Sequence, residues 1–154
     1  MSAGFIHEEM MDLFEVPVEY HLAHCISADL SVSKGIVTEF DRRFGIGAKL
    51  KAAYPGYRKQ WRESGMKFDC IRTDRVLNLI TKERCNYRPT YGSVRGALEK
   101  MRDICIENGI GKVAMPRIAS GLDRLKWEKV AGIITEVFAD TGIEIMICVP
   151  ADEN

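Results

Sequence analysis

The sequence predicts an α/β fold with a largely parallel central sheet and helices on both of its faces. Three observations carry that expectation. The second half of the chain reads strand, helix, strand, helix, strand, an order that favours parallel pairing through helical crossovers. Apolar residues follow strand and helix periods in turn, with no repeat, low-complexity tract or long linker between them. The 154 residues, 46% hydrophobic and 29% charged, suit one globular domain over 1–154 that buries a core of its own.

The elements follow in order. Tyr20-His21-Leu22-Ala23-His24-Cys25-Ile26 reads as a buried strand. A helix is predicted over 35–44, where Ile36, Val37, Phe40 and Phe44 share one face. A second short helix over 47–54 stops before Pro55-Gly56. The polar stretch 57–66 is predicted to be a loop or a frayed turn. Segments 68–72 and 76–81 read as strands joined by a hairpin turn at Thr73-Asp74. Thr90 is a good helix cap, and Val94, Leu98, Met101 and Cys105 then line one face of a long helix that Asn108-Gly109 ends. A short strand covers 113–115. Val130, Ile133, Ile134, Val137 and Phe138 form the stripe of a helix over 125–140, which Thr141-Gly142 stops before the last strand, 143–149.

Composition narrows the function. Lys plus Arg equals Asp plus Glu, 22 against 22, so broad electrostatic capture of nucleic acid or an acidic membrane is not expected; a local anion site is compatible. No apolar run approaches the ~20 residues that span a bilayer. Glu8 and Glu9 close behind Phe5-Ile6 do not fit a secretory signal. Five widely spaced cysteines without a CxxC pair read as reduced thiols of an intracellular protein, cytoplasmic or nuclear, and a monomer is expected. Gly45-Ile46-Gly47-Ala48-Lys49-Leu50 lacks the third glycine of a dinucleotide fingerprint. His24 and Cys25, neighbours in a strand, point to opposite faces, and His7, His21 and His24 lack the helical spacing of a zinc site. Trp61 and Trp127 are expected to pack rather than to stack on nucleotides.

In parallel sheets, ligands bind beyond the C-terminal strand ends, so the loops after Ile26, Ile80 and Met115 are where chemistry is sought. The first reads Ser27-Ala28-Asp29-Leu30-Ser31-Val32-Ser33-Lys34-Gly35-Ile36 and opens a helix. Small residues and a helix N-terminus together suit an anion. The third, Pro116-Arg117-Ile118-Ala119-Ser120-Gly121-Leu122-Asp123-Arg124, has the same character, and two such loops at one edge could grip a diphosphate from both sides. Asp123 is also placed to cap the following helix, the plainer reading. Lys82 closes a strand, where a lysine is commonly solvated; inside a pocket, desolvation would favour its neutral, nucleophilic amine, with Asp123 available to move protons.

Leu22-Ala23-His24-Cys25-Ile26-Ser27-Ala28-Asp29, Leu79-Ile80-Thr81-Lys82, Arg88-Pro89-Thr90-Tyr91 and the block from Met115 to Trp127 occur in that order. Together they resemble the terminal ADP-ribose protein glycohydrolase branch of the macrodomains. The resemblance runs from about Phe5 to Val149, and its last block is the most specific. It implies a three-layer α/β/α macrodomain with a mixed, largely parallel sheet. It implies that Asp12, in Met11-Asp12-Leu13-Phe14, accepts from the adenine amino group. The loop from Ser31 to Ile36, with Ser33, Lys34, Gly35 and Ile36, would be the first phosphate and distal-ribose loop, Ile118, Ala119, Ser120, Gly121 and Leu122 the second diphosphate loop, and Leu13, Ser27 and Asp29 would also line the substrate site. Lys82 and Asp123 match the catalytic lysine and aspartate. The implied reaction removes ADP-ribose from Glu or Asp side chains through a lysyl–sugar intermediate, with no metal or cofactor. The implied partners are ADP-ribose and ADP-ribosylated proteins, and O-acetyl-ADP-ribose is a related substrate.

The chain departs from the family at several positions. Met11 stands where the family usually has glycine, and Ser33-Lys34-Gly35 stands where Gly-Ala-Gly is common. Ala119 and Ser120 replace Gly and Cys. The altered first loop motivates an alternative from another class, a module that reads ADP-ribose or poly(ADP-ribose) without turnover.

Overall fold

The computed structural model describes residues 5–151. Within them, six strands form one sheet: β1 (Phe5–Met10), β2 (His21–Ser27), β3 (Asp69–Thr73), β4 (Val76–Lys82), β5 (Lys112–Met115) and β6 (Glu144–Val149). Their spatial order is β1-β6-β5-β2-β4-β3. Each neighbouring pair is parallel except β3 with β4, which form the predicted hairpin. The sheet is therefore mixed and largely parallel, and the C-terminal ends of β1, β6, β5, β2 and β4 share one edge.

Helices α1 (Ile36–Phe44), α2 (Ile46–Ala53) and α3 (Tyr57–Ser64) cover one face of the sheet. Phe40, Ile46, Leu50, Tyr57 and Trp61 pack there on Leu22, Ile26, Val76, Ile80 and Ala114. Helices α4 (Tyr91–Asn108) and α5 (Trp127–Phe138) cover the other face. Val94, Leu98, Met101, Ile134 and Phe138 meet Ala23, Leu77, Leu79, Val113 and Ile145. Alternation along the strands produces both cores, because successive residues point to opposite faces. His24 thus stacks on Phe40, with ring centroids 3.8 Å apart, while Cys25 packs against the α4–α5 side.

α4 starts as expected. The Thr90 hydroxyl accepts from the Ser93 amide at 2.9 Å, and the Ser93 hydroxyl accepts from the Thr90 amide at 3.0 Å, a reciprocal capping box. Gly96 lets α4 approach closely, since a Cβ there would lie 2.4 Å from the Phe68 ring.

Three readings of the sequence are corrected. The polar segment 57–66 contains a helix, α3, and not a loop. Tyr57 and Trp61, one turn apart, are buried, and Gly56 and Gly65 close its ends in the left-handed region. Helix α5 starts at Trp127 rather than at 125, because Arg124 has a φ of 61° and Lys126 is extended. Residues Phe5–Met10 form an edge strand that periodicity did not announce, since most of its side chains are exposed.

Candidate active site

Lys82 and Asp123, 41 residues apart, meet at the C-terminal edge of the sheet: Lys82 Nζ donates to Asp123 Oδ1 at 2.6 Å. Strand β4 delivers the lysine. The β2–β4 register slips there, from Ile26 opposite Ile80 to Ser27 opposite Lys82, and such bulges re-aim side chains beside functional sites. The loop after β5 delivers the aspartate. Asp123 does not cap α5, whose N-cap is Lys126 without a side-chain bond. Both side chains are largely enclosed, 12% and 14% exposed, so the pair is screened less than a surface ion pair. Cys25 sits beside it: burial, and then the Asp123 charge, push its thiol up to about 12, which leaves it protonated and inert.

The two predicted loops flank this pair and meet one another. Gly35, at φ 68° and ψ −155°, introduces α1 with no side-chain cap, and among the first amides that of Thr38 donates to the Gly35 carbonyl at 3.2 Å. A Cβ on Gly35 would lie 3.3 Å from Leu122 Cδ1, which places the first loop against the second. Ser33, Lys34 and Ile36 are exposed on the first loop. On the second, Ile118 and Ala119 are buried, while Gly121 and Leu122 reach solvent. Ala119 is held at φ 61°, and its carbonyl accepts from the Leu125 amide at 2.8 Å, closing the loop base. The Ser120 hydroxyl donates to the Arg117 carbonyl at 2.8 Å.

Ser27 and Asp29 lie beneath the first loop and are engaged within it. The Ser27 hydroxyl donates to Asp29 Oδ1 at 2.6 Å, the Ser31 amide donates to the same oxygen at 3.1 Å, and the Cys85 amide donates to Oδ2 at 3.1 Å. Burial opposes the Asp29 charge, but these bonds outweigh it and hold the carboxyl below its ordinary range. Asp29 thereby ties the first loop to the segment after Lys82. The Cys85 amide is a partner that sequence spacing had no means to indicate.

Asp12 stands apart from this cluster. It follows β1 and caps a single 3₁₀ turn, Leu13–Glu15, by accepting from the Phe14 amide at 2.9 Å. Asp12 is exposed, while Leu13 is buried in the α1–α3 core. Four strand spacings, about 19 Å, separate the β1 end that carries Asp12 from the β4 end that carries Lys82. The edge therefore offers a carboxylate at one end, a lysine–aspartate pair at the other, and two loops rich in backbone donors between them.

Sequence reasoning missed Glu8. On β1, its carboxylate accepts from Arg117 at 2.8 and 3.2 Å and from the Trp127 indole at 3.2 Å. These partners bracket the second loop.

No family model matches the chain. Comparison with individual proteins is informative. The chain is 41% identical over 137 residues to the ADP-ribose glycohydrolase OARD1 of Bos taurus, covering 88% of this chain and 86% of that one. It is 40% identical, with the same coverage, to the Homo sapiens protein of that name. Among solved structures, the macrodomain of Thermus aquaticus DarG superposes with a TM-score of 0.74 at 20% identity, covering 96% of this chain and 99% of that one.

Proposed function

The chain belongs to the terminal ADP-ribose glycohydrolase branch of the macrodomains, and from that premise we propose that it hydrolyses the bond between ADP-ribose and the Glu or Asp side chains of proteins, using Lys82 and Asp123. The observation that carries the assignment of roles is the enclosed 2.6 Å contact between these residues, flanked by both loops. An ammonium cannot attack carbon, and Asp123 is already placed to take its proton. The Lys82 amine then attacks the anomeric carbon of the distal ribose. The new C–N bond replaces the sugar–ester bond, whose electron pair leaves with the protein carboxylate. Asp123 passes its proton to the departing carboxylate, takes one from the water that displaces the lysine, and returns it to the freed amine, which releases ADP-ribose and restores both groups. O-acetyl-ADP-ribose presents a related ester and is a second proposed substrate.

The rest of the ligand is read along the edge. Asp12 accepts from the adenine amino group, and the diphosphate lies between the α1 N-terminus and residues 118–122, facing backbone N–H groups. Ser27 and Asp29 hold the first loop in shape, and Lys34 is an exposed cation at its rim.

Incubation with a Glu-linked mono-ADP-ribosylated protein tests the proposal. Lys82→Ala and Asp123→Ala should each lower kcat by about 100-fold or more, and mass spectrometry should find a sugar adduct on Lys82 during turnover. Full activity in both variants would sink the mechanism. Tight ADP-ribose binding by the wild type with no product release would replace hydrolysis with the reader function.

A further inference from the structure

We propose that Glu8 is a positioning residue for hydrolysis, a clamp on the edge strand that holds the loop carrying Asp123. The proposal rests on the role given to Asp123 above. Its basis is a row of residues across the sheet: Glu8 on β1 pairs with Ile147 on β6, and Ile147 pairs with Met115, the last residue of β5. The chain leaves the sheet just after Met115. Arg117 reaches back over β6, and its Nη2 and Nε donate to Glu8 Oε1 at 2.8 and 3.2 Å. The loop then passes Asp123 and returns to α5, where Trp127 Nε1 donates to Glu8 Oε2 at 3.2 Å. One carboxylate thus holds both ends of the excursion from Arg117 to Trp127, one oxygen for each end.

The excursion needs such a hold. Ala119 and Arg124 occupy the left-handed region at φ 61° without being glycine, a conformation that persists only where surroundings impose it. Its other ties include the Leu125 amide to the Ala119 carbonyl, the Arg124 amide to the Gly121 carbonyl, the Ser120 hydroxyl to the Arg117 carbonyl, the Lys126 amide to the Tyr91 hydroxyl, and the Asp123–Lys82 contact itself. Asp123 must remain within hydrogen-bond reach of Lys82, and small displacements of a catalytic group are costly. Glu8 bonds Arg117 and Trp127 at the two ends of the loop and not Lys82, so it acts through the loop.

Three variants test the clamp: Glu8→Ala, Glu8→Gln and the exchange Glu8→Arg with Arg117→Glu. Each is measured by thermal melting, by hydrogen exchange of the amides in 118–126, and by kcat and KM on Glu-linked mono-ADP-ribose. Glu8→Ala should melt near the wild type, speed exchange in that loop alone, and lower kcat/KM about fivefold, the scale of one partly exposed ion pair. Glu8→Gln keeps one acceptor and should fall between. The exchange rebuilds the tie to residue 117 but offers the Trp127 indole no acceptor, so it should recover part of the activity, which a generic loss of stability would not do. Unchanged loop exchange with unchanged kcat/KM in Glu8→Ala overturns the clamp, as does faster exchange spread over the whole sheet. If the wild type releases no ADP-ribose, the functional reading fails instead, and the exchange data still judge the clamp by themselves.

Discussion

Replacing Gly35 with alanine separates the shape of the first loop from the stability of the fold. Gly35 sits at φ 68° and ψ −155°, a region essentially reserved for glycine. A side chain there costs of order 1–3 kcal/mol, and its Cβ would press on Leu122 Cδ1 at 3.3 Å. Val37 and Phe40 anchor α1 in the core, whereas Gly35 and Leu122 are exposed, so the loop and not the helix absorbs the strain. The free variant relaxes, and ligand binding must restore the strained form. Its ADP-ribose Kd should therefore rise by roughly fivefold to 150-fold, at tenfold per ~1.4 kcal/mol, while the melting temperature stays near that of the wild type. Gly109→Ala is the control. Gly109 ends α4 at φ 66° with nothing within 4 Å of an added Cβ, so that change should cost about 1–2 kcal/mol of stability and leave Kd alone. Calorimetric titration of both variants decides. A Kd for Gly35→Ala within twofold of the wild type would refute the placement of the diphosphate at this loop.

Two further outcomes follow from the scaffold. His7 contacts Glu9 and Glu144, each at 2.9 Å, and Glu144 also accepts from the Tyr20 hydroxyl. Burial disfavours the imidazolium, but the two carboxylates outweigh it and raise the pKa of His7 above 6.5. A raised histidine stabilises fully below about pH 6.5 and loses that contribution as pH rises through its folded value. Urea midpoints of the wild type should therefore fall as pH rises above about 6.5, and His7→Gln should flatten the slope; equal slopes would remove His7 from the account. Trp61 is 4% exposed and fastens α3 to the sheet. Trp61→Ala should destabilise by about 3–5 kcal/mol in denaturant titration; a loss under 1 kcal/mol would mean that α3 contributes little to the core.

What the sequence disclosed depended on how locally each feature was specified. α1, α4 and α5 carry repeated apolar residues on one face, so their period is visible within a single window. α3 has only Tyr57 and Trp61 among charged neighbours, and two residues do not establish a period. β1 owes its existence to β6, more than 130 residues later, and its exposed side chains give no alternating signal. The site divides in the same way. That Lys82 and Asp123 both follow strands was legible, and a parallel sheet necessarily brings such positions to one edge. That they touch, when Asp123 was equally suited to capping a helix, depends on the β4 bulge and on a left-handed Arg124 that delays α5. Glu8 lies 109 residues from Arg117, and no spacing rule connects them.

The exact balance of 22 cations and 22 anions takes on a sharper meaning at the site. Lys82 is paired with Asp123 and Arg117 with Glu8, while the Asp29 carboxylate is satisfied by the Ser27 hydroxyl and the Ser31 and Cys85 amides. On the proposed placement, a doubly charged diphosphate between the loops would meet backbone N–H groups at the N-terminus of α1, with Lys34 and Arg124 as exposed cations on the two loops. Such backbone donors are fixed by the fold and need no net charge, so they hold an anion of one shape without attracting polyanions at large. The same economy serves the reaction. A free lysine beside a diphosphate would be drawn to the phosphates, whereas Asp123 holds Lys82 at the far end of the edge, four strands from Asp12, where the proposed mechanism puts the distal ribose and its ester.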